Sequence, residues 1–269
     1  MLVHMLLYPI AVLLTVISAP TAIPREQGSI VVSDQHGGER WTAEWTMEPA
    51  REGSMPAVHF TENGHGRLYP YTQPVQWKID SVWTANGEFH PFRFEKTVSD
   101  TNGRTITTER KTFDPTHHTV RFKRKGGPLR TVSKDLHVPE DTLTVEGIAG
   151  ILRFLPFDHW QPSTVHFLAN DPHLYEMKLE LRGKERVKTP AGEFESYRLE
   201  LVPNLGMLNI ARGLIPKAQF WFSASQPHFW VRYEGPESGR GSPEIVMDLT
   251  TYQPAKAETK PRITQIFNP

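Results

Sequence analysis

The chain has 269 residues, 38% of them hydrophobic and including 14 Phe, 7 Trp and 7 Tyr, enough for a real core rather than a disordered chain. Lys plus Arg and Asp plus Glu both number 30, which argues against nucleic acid as a partner, because phosphate binding needs a basic excess on at least one face. The absence of cysteine excludes disulfides, thiolate metal sites, cysteine nucleophiles and a lipid-modified N-terminal cysteine.

The N-terminus reads as an export signal. Met5–Ala19 is an uncharged apolar run, followed by the small residues of Ser18–Ala22. This predicts a signal peptide over residues 1–22, cleaved between Ser18 and Ala22, and a periplasmic or otherwise exported protein. An uncleaved anchor is the alternative, since Met1–Ile23 is nearly long enough to span a bilayer. Nothing later approaches that length, so no integral span is expected after cleavage.

From Gly28 to Tyr252 the pattern is strand, turn, strand, consistent with a single β domain over residues 28–252. Gly38–Glu48 places Trp41, Ala43, Trp45 and Met47 on one face and Thr42, Glu44, Thr46 and Glu48 on the other. Asn63-Gly64-His65-Gly66 reads as a turn or loop. Val75–Trp83 and Phe89–Val98 flank Asn86-Gly87, a strong hairpin signal. Arg104–Phe113 has little apolar content and is expected at an edge or on an exposed face. His117–Lys123 and Leu129–Leu136 flank the basic stretch Arg121–Arg130, whose Gly126-Gly127-Pro128 marks a solvated hairpin tip. Between Pro139 and Pro156, Val145, Ile148, Ala149, Leu152 and Leu155 recur at helical spacing, and Pro156 ends the run.

Strands then resume through Thr164–Ala169, His173–Val187, Glu193–Val202, Ala218–Ser223, His228–Glu234 and Pro243–Tyr252. The clearest lie either side of Thr189-Pro190-Ala191-Gly192, where proline and glycine supply a reversal. Residues 253–269 are rich in proline and charge and form a peripheral tail. Many strands, short loops and one helix predict a mainly β fold: a single strongly curved antiparallel sheet, or half-barrel, with the helix on its concave side. A β-sandwich and a closed lipocalin-like barrel are the alternatives.

The order of these pieces resembles a known family. The helix GIAGILRFLPF, the strand pair around VKTPAGEFESYRLEL, and QFWFSASQPHFWVRYEGP before a final strand are similar to exported bacterial proteins of the domain of unknown function 3108 family. The resemblance implies a half-barrel similar to the LolA/LolB-like lipoprotein carriers of the Lol pathway. Its motifs mark turns and strand edges, so it implies fold rather than activity.

Chemistry is thinly signalled. His117 and His118 are adjacent and point to opposite faces of a strand, and no H-x-H or H-E-x-x-H spacing occurs, so no metal ligand is expected. There is no G-x-S-x-G elbow and no glycine-rich phosphate loop. Glu44, Asp80, Glu180 and Glu200 alternate with basic residues, as on a solvated sheet face. No catalytic residue and no cofactor are therefore assigned. The apolar connector Asn204–Pro216, with Leu205, Met207, Leu208, Ile210, Leu214 and Ile215, is the candidate flap over a ligand site, a short core-closing helix being the alternative. Ile148, Leu152, Trp221 and Phe229 are candidate cavity residues, otherwise core, and Phe222 and Trp230 divide in the same way between core and cavity lining. The expected function is a non-catalytic binder or carrier of an apolar ligand, a lipid or lipoprotein acyl chain, in the cell envelope. An envelope protein-interaction module and an unrecognised hydrolase are the competing readings.

Overall fold

Alternation becomes strand over most of the described residues. The computed structural model describes residues 25–85, 90–204, 218–239 and 241–254. Their first eight strands are β1 (Glu26–Asp34), β2 (Glu39–Glu52), β3 (Met55–Gly66), β4 (Val75–Thr84), β5 (Pro91–Ser99), β6 (Thr105–Asp114), β7 (Thr119–Gly126) and β8 (Val132–His137). A short β9 (Thr142–Thr144) precedes the one α-helix among the described residues, α1 (Ile148–Leu152). Then follow β10 (Ser163–Leu168), β11 (Leu174–Thr189), β12 (Gly192–Pro203), β13 (Ala218–Ser223), β14 (Trp230–Pro236) and β15 (Glu244–Pro254).

All fifteen strands belong to one sheet, whose ends are β8 and β9. Strands β1–β8 form one antiparallel meander and β10–β15 a second; the two join where β1 pairs with β15. The pairing of β9 with β10 is parallel. The end strands are consecutive in sequence, and only residues 138–141 connect them. So short a link spans at most about 17 Å, and the sheet must curl until its edges are neighbours. Among the described residues no backbone hydrogen bond joins β8 to β9. Side chains hold the seam instead. Val120, Val138 and Leu168 form a small buried cluster there, and Arg124 Nη1 donates to the Asn170 carbonyl at 2.5 Å. The result is the expected curved, open half-barrel rather than a two-sheet sandwich or a closed barrel.

Two apolar clusters occupy the interior. Around α1, Ile148, Ile151 and Leu152 pack against Met47, Val58 and Trp83 on one side and Leu179, Leu199 and Phe222 on the other. The second cluster gathers Trp41, Val75, Trp77, Ile79, Phe94 and Val98 against Ile30, Val32 and Ile245. Each such side chain, fully buried, contributes about 1.5–3 kcal/mol. A third cluster lies where the β11–β12 hairpin meets β13 to β15. The far end of the β11–β12 hairpin folds back, so that Val187 packs with Trp221, Val231 and Leu249, and the Ala191 N–H donates to the Leu249 carbonyl at 3.1 Å.

Four sequence expectations are corrected. Asn63–Gly66 is not a turn but the end of β3. Gly64 sits directly opposite Trp77 in the register, and a Cβ at Gly64 would lie 2.1 Å from the Trp77 ring. The glycine is there because an indole covers it, as at the Gly28–Trp45 pair. Strand β6 is third from the edge, and its inward side chains Thr107, Glu109 and Lys111 are buried. Lys111 is tolerated because Glu109 lies 3.3 Å away and the Phe94 and Phe122 rings flank its ammonium. The helix is short, little more than one α turn preceded by a 3-10 segment at Val145–Gly147, since Thr142–Thr144 is drawn into the sheet. Glu200 is buried rather than solvated, paired with Arg182.

Candidate functional site

The interior is not filled evenly. Strand alternation turns Trp45, Phe60, Trp230 and Tyr233 inward, through the pairs Met47–Phe60, Phe222–Trp230 and Phe220–Tyr233 and through the run of Trp41, Ala43 and Trp45. Each packs against both interior clusters, yet each is only half-buried. All four lie where the two cores meet and keep part of their surface uncovered, outlining a candidate cleft. The rings there form a continuous ribbon. Phe60 stacks on Trp83 at 5.8 Å and on Trp45 at 6.5 Å, Trp45 lies 6.4 Å from Tyr252, and Tyr252 stacks on Phe229 at 4.2 Å.

The ribbon ends beside a buried ion pair. Arg153, one residue beyond α1, donates from Nη2 to Glu26 Oε1 at 3.1 Å and from Nη1 to Glu26 Oε2. Nη2 also donates to the Pro227 carbonyl. Both side chains are sequestered, with 4% of Arg153 and none of Glu26 exposed. Burial, and then the Glu26 charge, push the Tyr252 phenol up to about 12. Burial likewise pushes the Tyr233 phenol upward, with a smaller contribution from Glu244; its hydroxyl donates to the Pro236 carbonyl at 2.8 Å. The candidate cleft thus sets an apolar ring surface beside a charged, hydrogen-bonded pair at one end.

A polar cluster near α1 joins Asp158, Lys184, Tyr197 and His228. The Tyr197 hydroxyl donates to Asp158, which holds that carboxyl below its usual range, helped by Lys184, His228 and His159. Lys184 Nζ sits 4.6 Å over the Tyr197 ring. His228 Nδ1 lies 2.8 Å from the Ser223 carbonyl, which can only accept, so Nδ1 carries a proton. Its Nε2 faces the Gln226 amide at 2.8 Å. Phe157 stacks on Tyr197 at 4.7 Å and meets His228 edge-on. These contacts fasten the 3-10 turn Phe157–His159 to β12 and to the β13–β14 turn, and each polar group is engaged in that fastening. Among the described residues no three His, Asp or Glu side chains converge as metal ligands.

The sequence-derived candidates fall in three places. Ile148 and Leu152 meet in the cluster around α1, at 6% and 1% exposure. Trp221 and Phe229 lie in the third cluster, under the folded-back hairpin, with the Trp221 Nε1–H donating to Glu185 at 2.5 Å. Leu205, Met207, Leu208, Ile210, Leu214 and Ile215 lie outside the described residues, as do the Asn86-Gly87 turn, the N-terminal apolar run and most of the tail. Of the four inward rings, sequence reasoning singled out Trp230 alone, as core or cavity lining; for Trp45, Phe60 and Tyr233 only their place on the inward face of alternating strands, with aromatic side chains, could have signalled them.

A protein family of unknown function, DUF3108, matches residues 39–250. The chain belongs to that family. No curated protein matches the sequence. Among solved structures, the chain is similar to a β-barrel-like DUF1849 protein from Brucella abortus, at 8% identity and a TM-score of 0.51, covering 87% of this chain and 99% of that one. At that identity the likeness shows a shared fold alone. Weaker likenesses reach a Parabacteroides distasonis protein provisionally described as a lipoprotein (12% identity, TM-score 0.38, covering 88% and 98%). Another is a Bacteroides fragilis protein with a YmcC-like fold, provisionally described as exported (10% identity, TM-score 0.36, covering 85% and 95%). The DUF3108 match extends from β2 into β15, leaving out β1 of the first meander.

Proposed function

We propose that this DUF3108 protein is an exported, non-catalytic binder or carrier of a largely apolar molecule with one polar end, taken up between the two interior cores. The observation that carries this reading is the set of half-buried, inward-facing rings Trp45, Phe60, Trp230 and Tyr233. A sheet whose interior served stability alone would cover them, because aromatic surface left wet forfeits the largest hydrophobic gain available to a side chain. The Glu26–Arg153 pair and the Tyr252 hydroxyl supply the polar end. Export is supported by the apolar run Met5–Ala19 and the small residues after it.

The test is native mass spectrometry, with organic extraction, of protein purified without detergent. An adduct of several hundred to about a thousand daltons, the size a site of this kind encloses, is expected, and Phe60→Asp should release it while circular dichroism stays that of a folded β protein. A clean apo mass, together with no uptake of a dye that fluoresces in apolar surroundings, would sink the reading.

A further inference from the structure

A second recess lies on the opposite, outward face of the sheet and is separate from the cleft. It has a volume of about 820 Å³ and runs across β1 to β5, next to β15. The strand register builds its wall in rows. Ser29, Glu44, Asn63, Lys78 and Thr97 are successive direct partners across β1 to β5. One step along the strands, Thr42, His65, Gln76 and Ser99 form a second row from β2 to β5. The apolar residues that touch the recess, Ile30, Ala43 and Trp77, belong to the inward rows, so no apolar side chain rises from its outward surface.

The chemistry of the rows is narrow. Hydroxyl, amide and imidazole groups dominate, with one carboxylate and one ammonium, Glu44 and Lys78, that balance each other. Asn63, Gln76, Lys78, Thr97 and Ser99 spend no side-chain hydrogen bond on any described neighbour, although Thr42 and His65 approach at 3.4 Å and Ser29 meets Thr250 at 2.7 Å. The outward rows offer a lipid no apolar side chain, only the methyl and methylene carbons of polar ones. A peptide could not add as a strand, because the backbone of β1 to β5 is paired on both sides. A nucleic acid would need basic excess and stacking rings. What remains is a neutral molecule dense in groups that both donate and accept. Because neighbouring strands lie about 4.8 Å apart, matching groups recur across the rows at a spacing near the advance per sugar of an extended β-linked glycan.

We infer that this outer trough binds a linear β-linked polysaccharide laid across β1 to β5, each strand meeting about one sugar. The probes are β-1,4-linked glucose and N-acetylglucosamine oligomers of two to six units, with α-linked dextran as the control, titrated calorimetrically against the full-length exported protein. Affinity should climb with chain length and level off near five units. Asn63→Leu with Gln76→Leu should weaken the longest oligomer by about tenfold or more. Both positions are exposed, so the melting temperature and dye uptake into the interior cleft should stay unchanged. Saturable binding that ignores chain length, equal binding of dextran, an indifferent double variant, or no binding of either series would each overturn the inference.

Discussion

At the scale of single residues, the decisive feature is a charge pair where apolar residues would do. Glu26 and Arg153 are withdrawn from water, and their mutual attraction has to offset two desolvation costs. Such a pair is poor evidence for net stability but a strong constraint, because either partner alone is an uncompensated buried charge. Arg153→Met should therefore destabilise the protein by about 3–5 kcal/mol, read as a lowered urea midpoint. Adding Glu26→Leu should return most of that loss; a double variant as weak as the single one would show that the pair itself, not the stranded carboxylate, holds the helix end in place. Tyr252 next to it gives a second handle. Its proton is bound more tightly in the folded state, with a pKa of about 12 against about 10 in an unfolded chain. Its contribution to stability is thus intact below pH 10 and fades as pH rises toward 12. A difference titration of phenolate absorbance between wild type and Tyr252→Phe should show no Tyr252 signal at pH 10; a normal transition there would contradict its burial beside Glu26.

Elements were legible wherever one face of a strand was purely apolar. Strand β2 declares itself through Trp41, Ala43, Trp45 and Met47, and β11–β12 through the reversal at Thr189–Gly192. Strand β3 does not, since its inward row includes Glu62, Gly64 and Gly66, where glycine normally signals a turn. The missing side chain at Gly64 is supplied from β4 by the Trp77 ring, and the Trp77 Nε1–H donates to Glu62 at 2.8 Å. That fact cannot be seen until the strands are paired. Strand β6 was misplaced for a related reason: Glu109 and Lys111 face inward and neutralise each other, which a hydrophobicity pattern reads as exposure. The candidate cleft was hidden likewise, because partial burial of Trp45 or Tyr233 depends on how far apart two cores settle. Gly64→Ala tests the account of β3. A methyl there must push the indole aside, and about 1–3 kcal/mol of stability should be lost, with a change in near-ultraviolet dichroism from the displaced tryptophan. An unchanged urea midpoint would mean that the ring is not seated over the glycine.

For the whole molecule, the topology concentrates order in the middle of the sheet and leaves its ends to side chains. Strands β1 and β15 come from opposite ends of the described chain and pair at the centre, so a long loop must close before the two meanders join. Their amides, flanked by paired strands, should exchange only through global unfolding, whereas β8 is bonded along one side and should open locally. Arg124 is what ties that edge down. From β7 it reaches the Arg130 carbonyl with Nε at 3.2 Å and the Asn170 carbonyl with Nη1 at 2.5 Å, while facing Glu109 at 3.5 Å. Lysine would keep the charge opposite Glu109 but lacks the planar fork that reaches two carbonyls at once. Arg124→Lys should therefore accelerate hydrogen exchange in β8 and in residues 169–173 while leaving β1 and β15 protected. Uniform acceleration across the sheet would mean that the seam and the centre unfold as one unit, and no change at all would transfer the closure to Val120, Val138 and Leu168. A selective response would make this edge, rather than the plugged region around α1, the part of the half-barrel that yields first.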